Sequence, residues 1–226
     1  MDDGIAFETE RLRLRQWREA DYAPFAALNA DAQVMRYFPA PLARVESDAL
    51  ADHCRSLIAA KGWGVWVAQR KADGVFLGFV GLHEPTAALP FAPCVEIAWR
   101  LARHAWGSGY ATEAARGALA WGFERLGLDE IVSFTTLANA RSRAVMERLG
   151  MREDAVGFEH PALPPGHPLR PHCLYRLPRT AWQAAGSRRI APLRQSATGQ
   201  GACAACDANC RRCKIGNNAQ QCRAIH

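Results

Sequence analysis

Residues 10–17 alternate apolar and polar side chains, with Leu12 and Leu14 interleaving with Arg11, Arg13 and Arg15, the period-two signature of a half-buried strand. The period then changes. Across residues 21–29 and 45–60, apolar side chains recur three and four positions apart with few breakers, which predicts two helices joined through a turn at Pro39 and Pro41. Residues 65–69 and 75–82 are β-rich runs on either side of Lys71, Ala72, Asp73 and Gly74, and an Asp-Gly turn in that setting predicts a hairpin. After a proline-rich loop at 85–93, the chain reads as a strand at 95–101, a long helix from 110 to about 126, a strand at 131–137 and a helix at 140–149 stopped by Gly150. Residues 151–158 and 173–177 supply the last strands, and the pattern ends near Trp182.

Mixed strands and helices in this order predict one α/β domain over residues 1–185, followed by a tail at 186–226. At 49% hydrophobic content the body can bury a real core. No run approaches the roughly 18 apolar residues of a membrane span, and residues 1–10 are acidic rather than basic and then apolar, so a soluble cytoplasmic protein without membrane partners is expected.

The net charge of +6 suggests nucleic acid until it is located. Residues 187–226 carry seven basic side chains against one acid, Asp207, and so hold all of it; the other 186 residues have 21 bases and 21 acids. The body is therefore not expected to steer nucleic acid. Cysteine is skewed in the same way, with Cys203, Cys206, Cys210, Cys213 and Cys222 in the tail and only Cys54, Cys94 and Cys173 elsewhere. Three scattered thiols suit small buried hydrophobes, and the two Cys-x-x-Cys pairs of the tail are three residues apart, too close for two zinc knuckles. No metal is expected. The tail's Gly, Ala, Gln and Asn content predicts that it does not fold alone.

Chemistry concentrates where the strand at 95–101 meets the helix that starts at Tyr110. Between them lies Trp106-Gly107-Ser108-Gly109. Glycines allow a tight turn, and the following helix offers unpaired N–H groups at the positive end of its dipole, which suits a diphosphate; a plain strand-to-helix connection would look the same. A second segment, Asn139-Ala140-Arg141-Ser142 running on to Leu149-Gly150-Met151, places an amide and a hydroxyl at the first turn of a short helix.

Together, Gly109-Tyr110-Ala111-Thr112-Glu113-Ala114 and Asn139-x-x-Ser142 with Leu149-Gly150-Met151 resemble the acetyl-CoA-binding core of the GNAT N-acetyltransferases, especially the branch with the ribosomal-protein N-terminal acetyltransferases. The resemblance spans residues 8–182. It implies a mixed, mostly antiparallel twisted sheet of about seven strands, splayed between the fourth and fifth, with about four helices. The family's diphosphate loop, Gln/Arg-x-x-Gly-x-Gly/Ala, falls on residues 106–111, so Trp106, Gly107, Ser108, Gly109, Tyr110, Ala111 and Thr112 are expected to hold the cofactor. Trp106 stands where the family has a basic or amide side chain, and that side-chain contact is expected to be lost.

The resemblance further implies that pantetheine lies between the splayed strands, held by main-chain groups near Leu101, with acetyl transfer direct to an amine. Asn139 is expected to bond the pantetheine amides rather than cap its helix. The attacking amine must shed a proton, and Glu96, an acid flanked by apolar residues, is the expected base; a solvent-facing or arginine-paired carboxylate is the alternative. The family's thiolate-protonating tyrosine falls on Met146, which leaves Ser142 as donor, although serine there also serves as a cap. His160 and His172, in the loop before the last strand, are expected to border the acceptor pocket as proton shuttles or as structural residues. The acceptor is a primary amine, either a protein N-terminus or a small molecule, in a monomer or homodimer. A catalytically silent acyl-CoA sensor is the competing reading.

Overall fold

Nine strands and five α-helices are built from residues 4–186, the part of the chain that the computed structural model describes. The expected Cys-rich tail, from residue 187 on, lies outside it. The first elements are β1 (Ile5–Glu8) and β2 (Leu12–Arg15), paired antiparallel through a tight turn in which the Thr9 N–H donates to the Leu12 carbonyl at 2.9 Å. Two helices, α1 (Tyr22–Ala30) and α2 (Arg44–Lys61), come next. At the start of α2 the Glu46 carboxylate accepts the Ala43 N–H at 2.7 Å, satisfying one of the donors that a helix leaves unpaired there. The hairpin of β3 (Val65–Arg70) and β4 (Phe76–His83) leads into β5 (Glu96–Leu101) and α3 (Tyr110–Ala120), which continues as a π-helical turn over Trp121–Arg125. The chain closes with β6 (Glu130–Thr136), α4 (Ala140–Arg148), β7 (Arg152–Glu153), β8 (Phe158–Glu159), β9 (Pro171–Pro178) and α5 (Arg179–Ala184).

The sheet order is β1-β2-β3-β4-β5-β6-β9-β7, with β8 also on β9, and every pair is antiparallel except β5–β6. Nine strands replace the expected seven for two reasons. The single strand expected at 10–17 is the second arm of a hairpin, and the run at 151–158 breaks into two short pieces around a bend. The fifth helix, α5, buries no residue and so carries no periodic signal.

Helices cover both faces. On one, α1 and α2 enclose Trp17, Phe25, Leu28, Leu50, Val67, Phe79 and Ala98. On the other, α3 lies close to the sheet because it presents Ala114, Ala115 and Ala118 against Phe7, Trp66, Leu82 and Ile97. At Gly117 an added Cβ would meet Phe7 Cε2 at 2.4 Å, so the helix cannot approach this closely with any larger residue. A buried ion pair ties β2 to α1, with Arg15 donating to both Asp21 oxygens at 2.7 and 2.8 Å. Cys54 and Cys173 are buried and not in disulfides, while Cys94 is partly exposed. Among the described residues, no helix is long and apolar enough to cross a membrane.

Candidate active site

Parallel pairing between β5 and β6 amounts to one register pair, Glu96 with Val132, supported by the Val132 N–H on the Val95 carbonyl at 3.0 Å and the Ser133 hydroxyl on the Ile97 carbonyl at 3.0 Å. Beyond Ile97 the two strands part. Because hydrogen-bonding groups alternate sides along a strand, Ile97, Trp99 and Leu101 aim theirs at the β6 side, while Glu96, Ala98 and Arg100 aim theirs at β4. The Leu101 carbonyl is taken by the Trp106 indole N–H at 2.8 Å. The N–H groups of Trp99 and Leu101 and the Trp99 carbonyl face the gap. The splay expected between the fourth and fifth strands is thus between β5 and β6, one place later because of the extra N-terminal strand.

The gap belongs to a cleft of about 2090 Å³ lined by Glu96, Leu101, Trp106, Gly107, Gly109, Tyr110, Ala111, Thr112, Asn139 and Ser142, among others. At its loop end, Gly107 and Gly109 have φ values of +74° and +79°, left-handed backbone that side chains with a Cβ rarely adopt. A Cβ at Gly107 would meet nothing within 4 Å, so what requires glycine there is the backbone angle, not crowding. Gly109 is the N-cap of α3, whose first N–H groups therefore open into the cleft. Ser108 is not in the lining; its carbonyl accepts from Arg11 Nη1 at 3.0 Å. Arg11 also donates to Glu113 at 2.6 Å and stacks on Tyr110 at 4.6 Å, so one side chain fixes the loop's shape. Burial alone would raise the pKa of Glu113, but hydrogen bonds from Thr9 and Arg11 hold it below the usual carboxylate range.

A basic side chain from another element stands over Trp106. The guanidinium of Arg141, in the first turn of α4, lies 4.4 Å over the Trp106 ring, so a cation does stand beside the loop. Asn139 also departs from expectation, because it caps α4. Its Oδ1 accepts the Ser142 N–H at 3.3 Å, and its Nδ2 donates to Thr135 Oγ1 at 2.9 Å and Ser142 Oγ at 3.1 Å. Ser142 Oγ is thus used as an acceptor, which leaves its own proton to donate.

Glu96 is 2% exposed at the other end of the gap, with its Oε2 3.0 Å from His83 Nε2 across the β4–β5 pair. It is not solvent-facing. The sequence reading missed His83. It also missed Arg100, which lies on the same face of β5, donates to Asn29 Oδ1 at 2.7 Å and sits 4.1 Å over the Phe38 ring. Burial pushes the Arg100 pKa down to about 9, still above neutrality, so the α1 side of the cleft has a cation in its wall.

His160 and His172 are brought together, with ring centroids 4.9 Å apart and Phe134 and Phe158 against them. Both are buried outside the residues that line the cleft. His160 Nδ1 accepts the Ala162 N–H at 3.2 Å.

The splayed parallel pair thus has a glycine-opened helix at one end and a buried carboxylate at the other. Residues 11–152 match the family model described as the Acetyltransferase (GNAT) domain, and the chain belongs to that family. The FsC-acetyl coenzyme A-N(2)-transacetylase of Aspergillus fumigatus is 31% identical over 162 residues, which cover 69% of this chain and 68% of that one. The structure of an acetyltransferase from Agrobacterium tumefaciens superposes with a TM-score of 0.61 at 29% identity, covering 75% of this chain and 92% of its own. The spermidine N-acetyltransferase of Vibrio cholerae, solved with CoA and spermine, shares the fold at a TM-score of 0.61 and 19% identity, over 76% of this chain and 98% of that one. The chain is an acetyl-CoA-dependent acyltransferase.

Proposed function

We propose that this protein transfers the acetyl group of acetyl-CoA directly to a primary amine, either a protein N-terminus or a small molecule, with Glu96 as base and Ser142 as acid. The parting of β5 and β6 after one pair carries this reading, because main-chain groups that would close a sheet are aimed at a gap instead. The residues fit the coenzyme: the Gly107 to Thr112 turn suits its diphosphate, and the main-chain edges of Trp99 and Leu101 suit its pantetheine. Acetyl-CoA supplies the thioester. The Trp99 N–H, aimed into the gap, is placed to polarise an acyl carbonyl and hold developing negative charge.

An ammonium is no nucleophile, so Glu96 takes the proton that frees the amine. Ser142, held through Asn139, offers a proton to the departing sulfur. The names of the N(2)-transacetylase and the spermidine N-acetyltransferase both specify nitrogen acetylation, which supports an amine acceptor here.

The test is thiol release from acetyl-CoA against a panel of amines and peptides, run with wild type and Glu96→Gln. We expect kcat to fall at least tenfold at neutral pH with little change in the KM for acetyl-CoA. The deficit should shrink as pH approaches the acceptor's own pKa, where solution supplies the free amine. Rates within a few fold at every pH would remove Glu96 from the role.

A further inference from the structure

On this reading, one proton per turnover leaves the acceptor and lodges on Glu96, a nearly inaccessible side chain. With coenzyme and acceptor seated in the cleft, both stand between that proton and solvent. Behind the carboxylate the surroundings differ. His83, 3.0 Å from Glu96, lines a second cavity of about 320 Å³ that is also walled by His53, Leu57, Lys61, Trp63 and Glu84. Glu96 lines the large cleft and not this cavity, and His83 the reverse. The buried pair therefore stands between two separate spaces on the α1–α2 face of the sheet.

We propose that His83 is a proton relay, taking the proton from Glu96 at Nε2 and passing one on from its other ring nitrogen into the second cavity, so that the base is reset behind the bound substrates. This rests on the transferase reading with Glu96 as base. The acceptor ammonium gives its first proton to Glu96, then to His83, then to water. The neutral nitrogen forms its bond to the acetyl carbon, the carbon–sulfur bond breaks, and the sulfur leaves with the electron pair. It is protonated through Ser142 by the amine's second proton. The net proton released per turnover is the one His83 carries.

The neighbouring charges are arranged for this. From α2, His53 and Lys61 face the cavity, and Lys61 is ion-paired with Glu84, so no lone cation opposes an imidazolium there. On the Glu96 side stands Cys94, with Glu130 and Arg176 beyond it. Burial first, and then the charge of Glu96, push its thiol up to about 11, so it stays neutral and does not compete for the proton. An imidazole has two ring nitrogens, so it can accept a proton on one side and give one up on the other.

The experiment is His83→Gln in the full chain, with the acetylated amine measured directly so that acetylation of added imidazole is not counted. Glutamine can still bond Glu96 but cannot carry a proton onward. The expected result is a kcat lowered tenfold or more, an unchanged KM for acetyl-CoA, and recovery of several fold with added imidazole, which Glu96→Gln does not show. An unaltered rate and pH profile overturn the relay, as does a loss that imidazole leaves in place. Should His83→Gln not fold, Leu57→Trp decides. It narrows the second cavity while leaving both members of the pair in place, and a fivefold lower kcat at unchanged coenzyme affinity supports the relay, whereas a wild-type rate overturns it. A wild-type protein that acetylates no amine in the panel strikes the parent reading instead, and so the two failures are distinct.

Discussion

Replacing Gly109 with alanine tests whether main-chain geometry at the start of α3 grips the coenzyme's diphosphate. Gly109 has φ +79°, and its added Cβ would meet Arg11 Nη2 at 3.6 Å, an ordinary contact. The cost is therefore backbone strain without a clash. An alanine held in left-handed backbone costs about 1–2 kcal/mol. That strain must surface in one of two places. If the turn keeps its shape, stability falls by that amount, about 2–8 °C in Tm for a domain of this size, and coenzyme binding is unchanged. If the turn relaxes to negative φ, the N–H groups are re-aimed and the strain becomes an affinity loss of about 5- to 30-fold.

Calorimetric titration with CoA and with pantetheine, beside thermal melts, separates these outcomes. An affinity loss is expected for CoA and not for pantetheine, which lacks the diphosphate. Gly109→Asn should lose less on both counts, since asparagine tolerates this backbone region. An equal loss for both ligands, or no change in either Tm or affinity, would refute the argument.

Ser142→Ala should lower kcat several fold while leaving Tm within a degree or two, because the cap of α4 is Asn139; Asn139→Ala should instead cost about 1 kcal/mol of stability, read in the same melts. The lowered pKa of Glu113 gives an acid dependence. Its contribution to stability is fully present above its ordinary value of 4.5 and is lost as pH falls through the lower folded value, so Tm against pH between about 5 and 3 should be flatter in Glu113→Gln than in wild type.

The elements that position the site were legible because they carry strong local signals. The turn at Gly107 and Gly109 had to be glycine, and the strand and helix around it show clear periodicity. Partnerships across the sheet were not legible. His83 and Glu96 meet only because the β4–β5 register sets them opposite, and nothing in the intervening proline-rich loop announces that register. Arg141 reaches Trp106 from α4, a contact between residues far apart in sequence that no local pattern announces. The Asn139 cap was within reach of helix rules, and family resemblance drew attention away from it. β1 offers only Ile5, Ala6 and Phe7 as apolar residues, too short a run to distinguish from an irregular terminus.

The weak seam between β5 and β6 means that the sheet is two blocks, β1–β5 and β6–β9, bonded to each other only near one end of the seam. On the proposed reading, a coenzyme lying along the opened length would take the place of the missing ladder and act as a load-carrying strand of the architecture. Occupancy and rigidity are thereby coupled: at a hundred times its dissociation constant such a ligand adds about 2.7 kcal/mol to stability, applied where the empty protein is least braced.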